Sequence, residues 1–541
     1  MVANRTIRWL KISPVKLEAV ETNFHRNATR GQKVERHHAI IDMTTQARRN
    51  RDPSLVNTIK AGAHIINRCH FSHKVNHAGR RRPIKESQTM TAASDTSRYA
   101  QGFDIPVRGD TITADRYISQ EFMARENQYL WPKVWHLGGM VAELEEEGDY
   151  VRHNLGTESV IMIRQSDDSI KAFYNSCPHR GNRLVLGEIG GSDRITCGYH
   201  GWQFSPDGVL VNVQDPDDFP DGDPCGKVTL SEVRCETWGP FIFYCMDPEV
   251  KPLLDWLAPL PERLKDYGLD NWIRVMYLSA DANFNWKVIR DNFNESYHLP
   301  TIHPELSTFI NDGLPDTLFE MYESGHNSMW MKGHQATTRN PEFHTGDVPS
   351  PLDDVARAWE IDPADYNGHT GDIREAIVAA KRRLGPERGF TNYENMSDQQ
   401  LVDYFHCTLF PNLTITMSPE QCQILRTEPH PTDPAKCVFH HWVLAPPVEG
   451  MTEIETPIGP MPLEWAENRH SVYGDGQSVG YVADQDLSIG TSQQQGLNSR
   501  GFNGCMLTHQ EKRVQRFHEL LNDYVNAGVS TDIINSDQLG S

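Results

Sequence analysis

The sequence has no long apolar run. Stretches such as Gly239–Met246 stop well short of the ~18–20 apolar positions that a membrane-spanning helix requires, which excludes an integral helical membrane protein. No apolar segment follows the first basic residues either, so no secretory signal is visible. Cysteine is sparse, with ten residues scattered from Cys69 to Cys505 in a chain of 541. That excludes a secreted disulfide scaffold, favours a reducing, cytoplasmic setting, and makes any local cysteine cluster a metal candidate first. Basic residues are sparse beyond the first 89: residues 1–89 hold 18 Lys+Arg against 6 Asp+Glu, and residues 90–541 hold 34 against 67. An acidic body repels phosphate backbones, so nucleic acid is excluded as a partner for most of the chain. Internal repeats and low-complexity tracts are absent.

What is present is an ordinary globular composition, 38% apolar and 9% aromatic, at a length that suggests about two to four domains. Residues 1–89 form a basic leader with seven His and Arg runs at Arg48-Arg49 and Arg80-Arg81-Arg82. A transit peptide would be Arg-rich and acid-poor, but also Ser-rich, which this segment is not. A basic arm is a second reading. The favoured reading is a later start at Met90, followed by the polar Thr91-Ala92-Ala93-Ser94. Residues 90–130 are expected to be an N-terminal helical segment.

Residues 131–250 read as short strands broken by Gly, Asp and Pro. Ser159–Arg164 and Lys171–Tyr174 are two of them, with Asp167-Asp168 as the turn. The prolines at Pro252, Pro259 and Pro261 read as a linker. Residues 251–541 mix a helical stretch near 284–299, strands near 405–417 and 436–446, and a final amphipathic helix. In that helix Val514, Phe517, Leu520, Leu521 and Tyr524 recur at helical spacing and mark a core-facing stripe. Residues 335–400 read as a polar excursion on this second domain.

Three constellations carry chemistry. The first is Cys177-Pro178-His179-Arg180-Gly181 followed by Cys197-Gly198-Tyr199-His200-Gly201-Trp202. Two Cys and two His would also suit zinc, but zinc fingers group Cys with Cys and His with His. Here each short cluster holds one of each, which suits a Rieske [2Fe–2S] centre, one iron on two thiolates and the other on two imidazoles. Any one of the four alone reads as structural; four at this spacing, among Gly181, Gly198 and Gly201, do not.

The second is Asp291-Asn292-Phe293-Asn294-Glu295-Ser296-Tyr297-His298, continuing through Pro300 to His303. His298 and His303 are about 140° apart on an ideal helix. Pro300 is expected to break the helix at Leu299 and let His303 swing back. Two imidazoles and a carboxylate suit a mononuclear non-haem Fe(II) site with open positions for O₂ and substrate. Glu295 is one candidate for the carboxylate, by proximity. The third constellation is Asp486, eight positions before Gln494-Gln495-Gly496-Leu497-Asn498-Ser499-Arg500-Gly501. With Asp484 two residues away, spacing alone does not choose.

Together these residues resemble the large (alpha) subunit of Rieske non-haem iron oxygenases, the aromatic-ring-hydroxylating dioxygenase family, over roughly residues 110–530. The resemblance implies an α+β protein: a small all-β Rieske [2Fe–2S] domain plus a helix-grip (START/SRPBCC-like) catalytic domain, an antiparallel sheet wrapping a long C-terminal helix. It implies Cys177, His179, Cys197 and His200 as cluster ligands and His298, His303 and Asp486 as iron ligands. Glu295 becomes the bridge that carries electrons from a neighbouring subunit's cluster in a head-to-tail trimer. Many members have Asp there; Glu occurs in some branches, including enzymes of quaternary amines. The chain shows no flavin or dinucleotide motif, so the resemblance implies a separate NAD(P)H-dependent reductase, with or without a ferredoxin, and in some arrangements a small beta subunit.

The activity implied is that of a terminal oxygenase hydroxylating a small organic substrate, aromatic or cyclic, with O₂. The alternatives are a monooxygenase or demethylase, or a quaternary-amine oxygenase, on the same scaffold. A Rieske electron carrier is the distant rival and leaves the His298/His303 pair and the second domain without a use, whereas a helix-grip ligand-binding protein would need neither the iron ligands nor the cluster. The substrate pocket is expected near His326, Met329, Trp330, Phe405 and Phe410, with residues 335–400 a candidate cover.

Overall fold

A computed structural model of the chain describes residues 105–538, with side chains to Ala527. The leader expected over 1–89 and the start expected at Met90 lie outside the described residues. The first described elements are the short helices Asp115–Ile118 and Gln120–Arg125. Ser119 caps the second by accepting the Phe122 amide at 3.2 Å, and Tyr117, Phe122 and Met123 are buried.

The strands that follow are β1 (His136–Met140), β2 (Asp149–Leu155), β3 (Glu158–Arg164), β4 (Ile170–Tyr174), β5 (Ile189–Gly191), β6 (Ile195–Thr196), β7 (Gln203–Phe204), β8 (Leu210–Asn212), β9 (Glu232–Trp238) and β10 (Phe241–Cys245). Seven form one sheet in the order β1-β10-β9-β4-β3-β2-β5; β6, β7 and β8 form a small one. The run Val160-Ile161-Met162-Ile163 is apolar at every position because both faces of β3 are covered. Side chains alternate across a strand, so Ile161 and Ile163 pack with Phe173, Cys177, Cys197 and Trp202. Val160 and Met162 pack with Ala172, Ile242 and Tyr244 on the other side. Each such fully buried side chain contributes about 1.5–3 kcal/mol, and the first of these cores supports the loops that carry Cys177 and Cys197.

The second sheet contains β11 (Ile273–Ala282), β12 (Ile310–Asn311), β13 (Leu318–Met321), β14 (Asn327–Gly333), β15 (Tyr404–Leu409), β16 (Leu413–Met417), β17 (Cys422–Pro429), β18 (Cys437–Ala445) and β21 (Asn468–Val472), with β19 (Glu453–Thr456) and β20 (Gly459–Pro462) forming a separate hairpin. The order is β12-β14-β15-β16-β17-β18-β11-β21. The pairings are antiparallel except at the edge, where β21 joins β11 in parallel.

Five helices matter for the site: α1 (Trp286–Asn292), α2 (Leu299–Ile302), α3 (Ile373–Leu384), α4 (Tyr481–Leu497) and α5 (Lys512–Gln538). In α5 the expected stripe is buried at Val514, Phe517 and Leu521 and half-buried at Leu520 and Tyr524, and it extends to Val525. Phe410 stacks on Tyr524 with centroids 5.4 Å apart. α1 is tied to the N-terminal segment by a buried ion pair, Lys287 Nζ to Glu126 Oε1 at 2.6 Å, with side chains 0% and 2% exposed. Lys287→Ala leaves a buried carboxylate uncompensated and is expected to lower stability by about 3–5 kcal/mol, whereas replacing both partners with apolar residues restores most of it. Urea denaturation of the two variants distinguishes these results; equal losses would show that the pair is not what holds α1.

Two expected loops are packed structure. The prolines near 251–261 belong to the helices Leu253–Leu257 and Leu260–Leu264, with Leu253, Trp256, Leu257 and Leu260 buried. Residues 335–400, expected as a polar excursion, form a lobe of short helices around α3. Its Leu352, Ile373, Ile377, Phe390 and Tyr393 join the main core.

Candidate metal centres

The two cluster loops hang from the end of β4 and from the β6–β7 hairpin, and they repeat one backbone pattern. The Cys177 N–H donates to the Asn182 carbonyl at 2.8 Å, and the Cys177 carbonyl accepts the Gly181 N–H at 2.8 Å. The Cys197 N–H donates to the Trp202 carbonyl at 2.8 Å, and the Cys197 carbonyl accepts the Gly201 N–H at 3.0 Å. The turn needs a left-handed residue at the same place in each loop, and glycine supplies it, with φ of +73° at Gly181 and +70° at Gly201. Both cysteines are 2% exposed.

His179 and His200 converge with ring centroids 4.7 Å apart, and His179 stacks on Trp202 at 4.6 Å. Asn182 Nδ2 donates to Cys197 Sγ at 3.8 Å. His200 Nδ1 is buried with no hydrogen-bond partner among the described residues. Buried ring nitrogens are almost always paired, so this atom fits a metal ligand, as do the two buried thiols on the same pair of loops. Burial raises the Cys177 thiol above its ordinary value, an effect that a coordinated metal reverses by deprotonating it.

The second centre is built from the α1–α2 connection and α4. The helix breaks earlier than Pro300: α1 ends at Asn292, residues 293–298 turn, and Pro300 lies in the first turn of α2. Proline is suited to starting a helix, where its missing N–H has no partner to lose. The turn brings ligand atoms of His298, His303 and Asp486 within 4.8 Å of one another. Asp486 Oδ1 lies 2.9 Å from His303 Nε2 and 3.6 Å from His298 Nε2. The outer nitrogens are occupied: His298 Nδ1–H donates to Glu295 Oε1 at 2.7 Å and His303 Nδ1–H to Gln485 Oε1 at 2.8 Å. These bonds fix the tautomers and aim both Nε2 lone pairs at the carboxylate. Burial works against protonating His303, but Asp486 beside it outweighs this and holds the imidazole above its ordinary value. The donor set fits a ferrous ion of the two-histidine, one-carboxylate kind.

Glu295 is therefore held against His298, with its other oxygen accepting the Tyr297 and His298 amides. Asp484 is occupied elsewhere, accepting from Ser478 Oγ and the Val479 N–H at the start of α4. Gln485 and Asn292, which donates to Asp486 Oδ1 at 3.0 Å, were not singled out by sequence reasoning; neither has a spacing signal. Gln494 Oε1 accepts the Asn285 amide at 2.8 Å, and Asn285 caps α1, so Gln494 ties α4, which carries Asp486, to the start of α1.

A cavity of about 410 Å³ opens on His298, His303 and Asp486. Of the expected pocket residues only Met329 lines it. Met331, Tyr404 and His406 line it as well, and they are cross-strand partners: Met329 opposite His406 and Met331 opposite Tyr404. Trp330 and Phe405 form the matching pair on the other face, His326 packs on Trp256, and Phe410 packs on α5. No residue of 335–400 lines this cavity. Burial drives His406 down to about 3 and His441 down to about 4, so both lining imidazoles are neutral. A second recess, of about 570 Å³, lies on the outer side of Glu295 and His298, with Met506 exposed at its edge.

Comparison with known proteins agrees with this construction. The Rieske [2Fe-2S] domain model matches residues 134–223, and the model for the ring hydroxylating alpha subunit catalytic domain matches 269–527. The chain belongs to the Rieske non-haem iron oxygenases, as an alpha subunit. Among curated relatives, the carnitine monooxygenase oxygenase subunit of Escherichia coli (strain K12) is 34% identical over 211 residues, 38% of this chain and 55% of the relative. The chloroplastic choline monooxygenase of Spinacia oleracea is 27% identical over 244 residues, 43% of this chain and 55% of the relative. The chain thus spans about half the length of the curated relatives it matches. Among solved structures, the quaternary ammonium Rieske monooxygenase CntA in complex with L-carnitine has a TM-score of 0.54 at 20% identity, covering 76% of this chain and 95% of that one. Naphthalene 1,2-dioxygenase with indole bound has 0.55 at 20%, covering 78% and 93%. At these identities the structures speak for the fold alone.

Proposed function

We propose that this chain is the terminal oxygenase of a multicomponent system, taking electrons from NAD(P)H through a separate reductase and hydroxylating a small organic cation with O₂. The observation that carries the oxygenase reading is the convergence of His298, His303 and Asp486 on a cavity, in a chain that also pairs Cys177 and His179 with Cys197 and His200. The bound iron centres supply the dioxygen and one-electron chemistry. The residues do the rest. Glu295 and Gln485 set the histidine tautomers, Asn292 steadies Asp486, and the apolar walls around Met329 and Met331 restrict water at the reacting position.

The sequence left two substrate readings open, an aromatic or cyclic compound and a quaternary amine. The amine is favoured by the cavity's own chemistry. Glu295, Asp486 and Glu455 are among its lining residues, aromatic residues wall it, and no Lys or Arg does so among the described residues.

Glu295 borders both the substrate cavity and the outer recess. It is suited to bridge a cluster histidine of a neighbouring copy to His298 in a head-to-tail homotrimer, with or without a beta subunit, so that an electron would pass between the two iron centres without residing on the carboxylate. Glu295→Gln is expected to retain both iron centres yet lower turnover by about 10–100-fold or more, since it loosens a ligand's hydrogen-bond partner as well as the bridge. Full activity would refute the role. Among the described residues no helix is long and apolar enough to cross a membrane, and none of the nine described cysteines is paired in a disulfide, in keeping with a reducing, cytoplasmic setting.

The deciding experiment is iron and acid-labile sulfide per chain on anaerobically purified protein, with EPR. About three irons and two sulfides with a Rieske signal are expected. About two irons, not restored by added Fe(II), would leave an electron carrier.

A further inference from the structure

Arg513, the second residue of α5, is 1% exposed. Among the described residues it has no ion-pair partner, and its Nε–H has no hydrogen-bond partner. A cation is costly here on several counts. Burial strips its hydration, no paired anion offsets the loss, and the amino-terminal end of a helix already carries partial positive charge. Burial pulls the guanidinium down to about 9, which leaves it protonated at neutral pH. Helix docking does not require it, because Val514, Phe517, Leu521 and Val525 already bury α5 against the core. An unbranched apolar side chain would serve the helix as well or better.

What the guanidinium does hold is the surroundings of the iron ligands. Its Nη1 donates to Asn327 Oδ1 at 2.9 Å and its Nη2 to Met329 Sδ at 3.3 Å, both on β14. Met329 lines the substrate cavity. Asn327 Nδ2 donates in turn to Asn294 Oδ1 at 3.0 Å. Thr408 Oγ1, on β15, lies 3.0 Å from Asn294 Oδ1 and 2.6 Å from Asn327 Oδ1 and closes the group. All of these residues are buried. Asn294 stands in the turn between α1 and α2 and immediately precedes Glu295, whose carboxylate holds His298 Nδ1–H. Glu295 is also the carboxylate whose charge favours the guanidinium against its burial.

We propose that Arg513 is a positioning residue of the iron site, clamping the ligand turn, through Asn327 and Asn294, against the cavity wall at Met329. Glu295 and His298 are thereby held in place from α5. The proposal rests on the oxygenase reading above. A planar guanidinium can hold both β14 side chains at once, whereas an ammonium keeps the charge and loses the fork.

The test uses the full-length protein loaded with Fe(II). The EPR spectrum of its ferrous nitrosyl adduct reads ligand geometry, and urea denaturation reads stability. Arg513→Met keeps the length and removes the clamp. It is expected to retain the cluster spectrum and to be no less stable than the wild type, yet to shift the rhombicity of the nitrosyl signal. Arg513→Lys is expected to return that signal most of the way, because its ammonium can still donate to Asn327. Asn294→Ala cuts the link at the turn and leaves every charge in place. It is expected to shift the signal in the same way and to raise the Fe(II) dissociation constant by about tenfold, the low end of what losing a ligand's supporting partner costs. A wild-type nitrosyl signal in Arg513→Met, whatever its stability, overturns the proposal. So does an unchanged signal and affinity in Asn294→Ala, which decides the matter if Arg513→Met does not fold. Wild-type protein that takes up no iron beyond the cluster overturns the oxygenase reading and the clamp together. Wild-type protein that takes it up, with variants indistinguishable from it, overturns the clamp alone.

Discussion

Asp486→Ala is expected to lower iron from about three to about two per chain while leaving the cluster's visible and EPR spectra intact. The residue is 3% exposed and supplies the oxygen that both Nε2 atoms face. Two neutral imidazoles alone offer a dication no compensating charge, so removing the carboxylate removes the electrostatic half of the site. Turnover should fall by more than the ~10–100-fold seen when only a ligand's hydrogen-bonding partner is lost. Asp484→Ala is the control, because it touches only the cap at Ser478 and Val479. It should keep its iron. Iron lost from Asp484→Ala and kept in Asp486→Ala would move the third ligand two residues along α4.

That choice between two aspartates marks the limit of what the sequence makes legible. The candidate cluster ligands are readable because each Cys-His pair sits inside one turn, and the turn's geometry is written locally in Gly181 and Gly201. His298 and His303 are readable for the same reason. Asp486 arrives from α4, far along the chain, and only the family resemblance selected it; Gln485 and Asn292 lack even that. The break in the ligand segment was anticipated but assigned to the wrong residue, since proline both ends and begins helices and Pro300 here begins one. The pocket residues expected along β14 and β15 fall on both faces of the sheet: Met329 lines the cavity, while Trp330 and Phe405 pair on the other side. Neighbouring strand residues point to opposite faces, and apolar residues on both leave the sequence without a sign of which face is the cavity's. The lobe over 335–400 escaped because its helices are short and each adds only a few core residues. Trp359, Phe390 and Tyr393 meet across the lobe in three dimensions, not in a periodic run.

Cys177→Ala is the other substitution with a large expected effect, and it isolates the cluster from the iron site. Thiolate ligation is what gives a [2Fe–2S] centre its visible absorption, and a cluster with one thiolate missing on the all-sulfur iron does not assemble. The folded variant should be colourless in the visible, lack the Rieske signal, still bind one iron per chain at His298, His303 and Asp486, and show no reductase-driven turnover. The loop itself should survive, because its backbone bonds run through the Cys177 amide and carbonyl, which alanine retains. Its Sγ packs in the core with Ile161, Ile163 and Trp202, so some stability is lost and circular dichroism must accompany the spectra. Cys422→Ala serves as the matched control. That thiol is buried in β17 and raised far above its ordinary value by burial, and it lies in the other sheet, so the chromophore should be unchanged. A variant of Cys177 that folds and keeps its absorption would remove the residue from the ligand set and reopen the zinc reading of the four-residue motif.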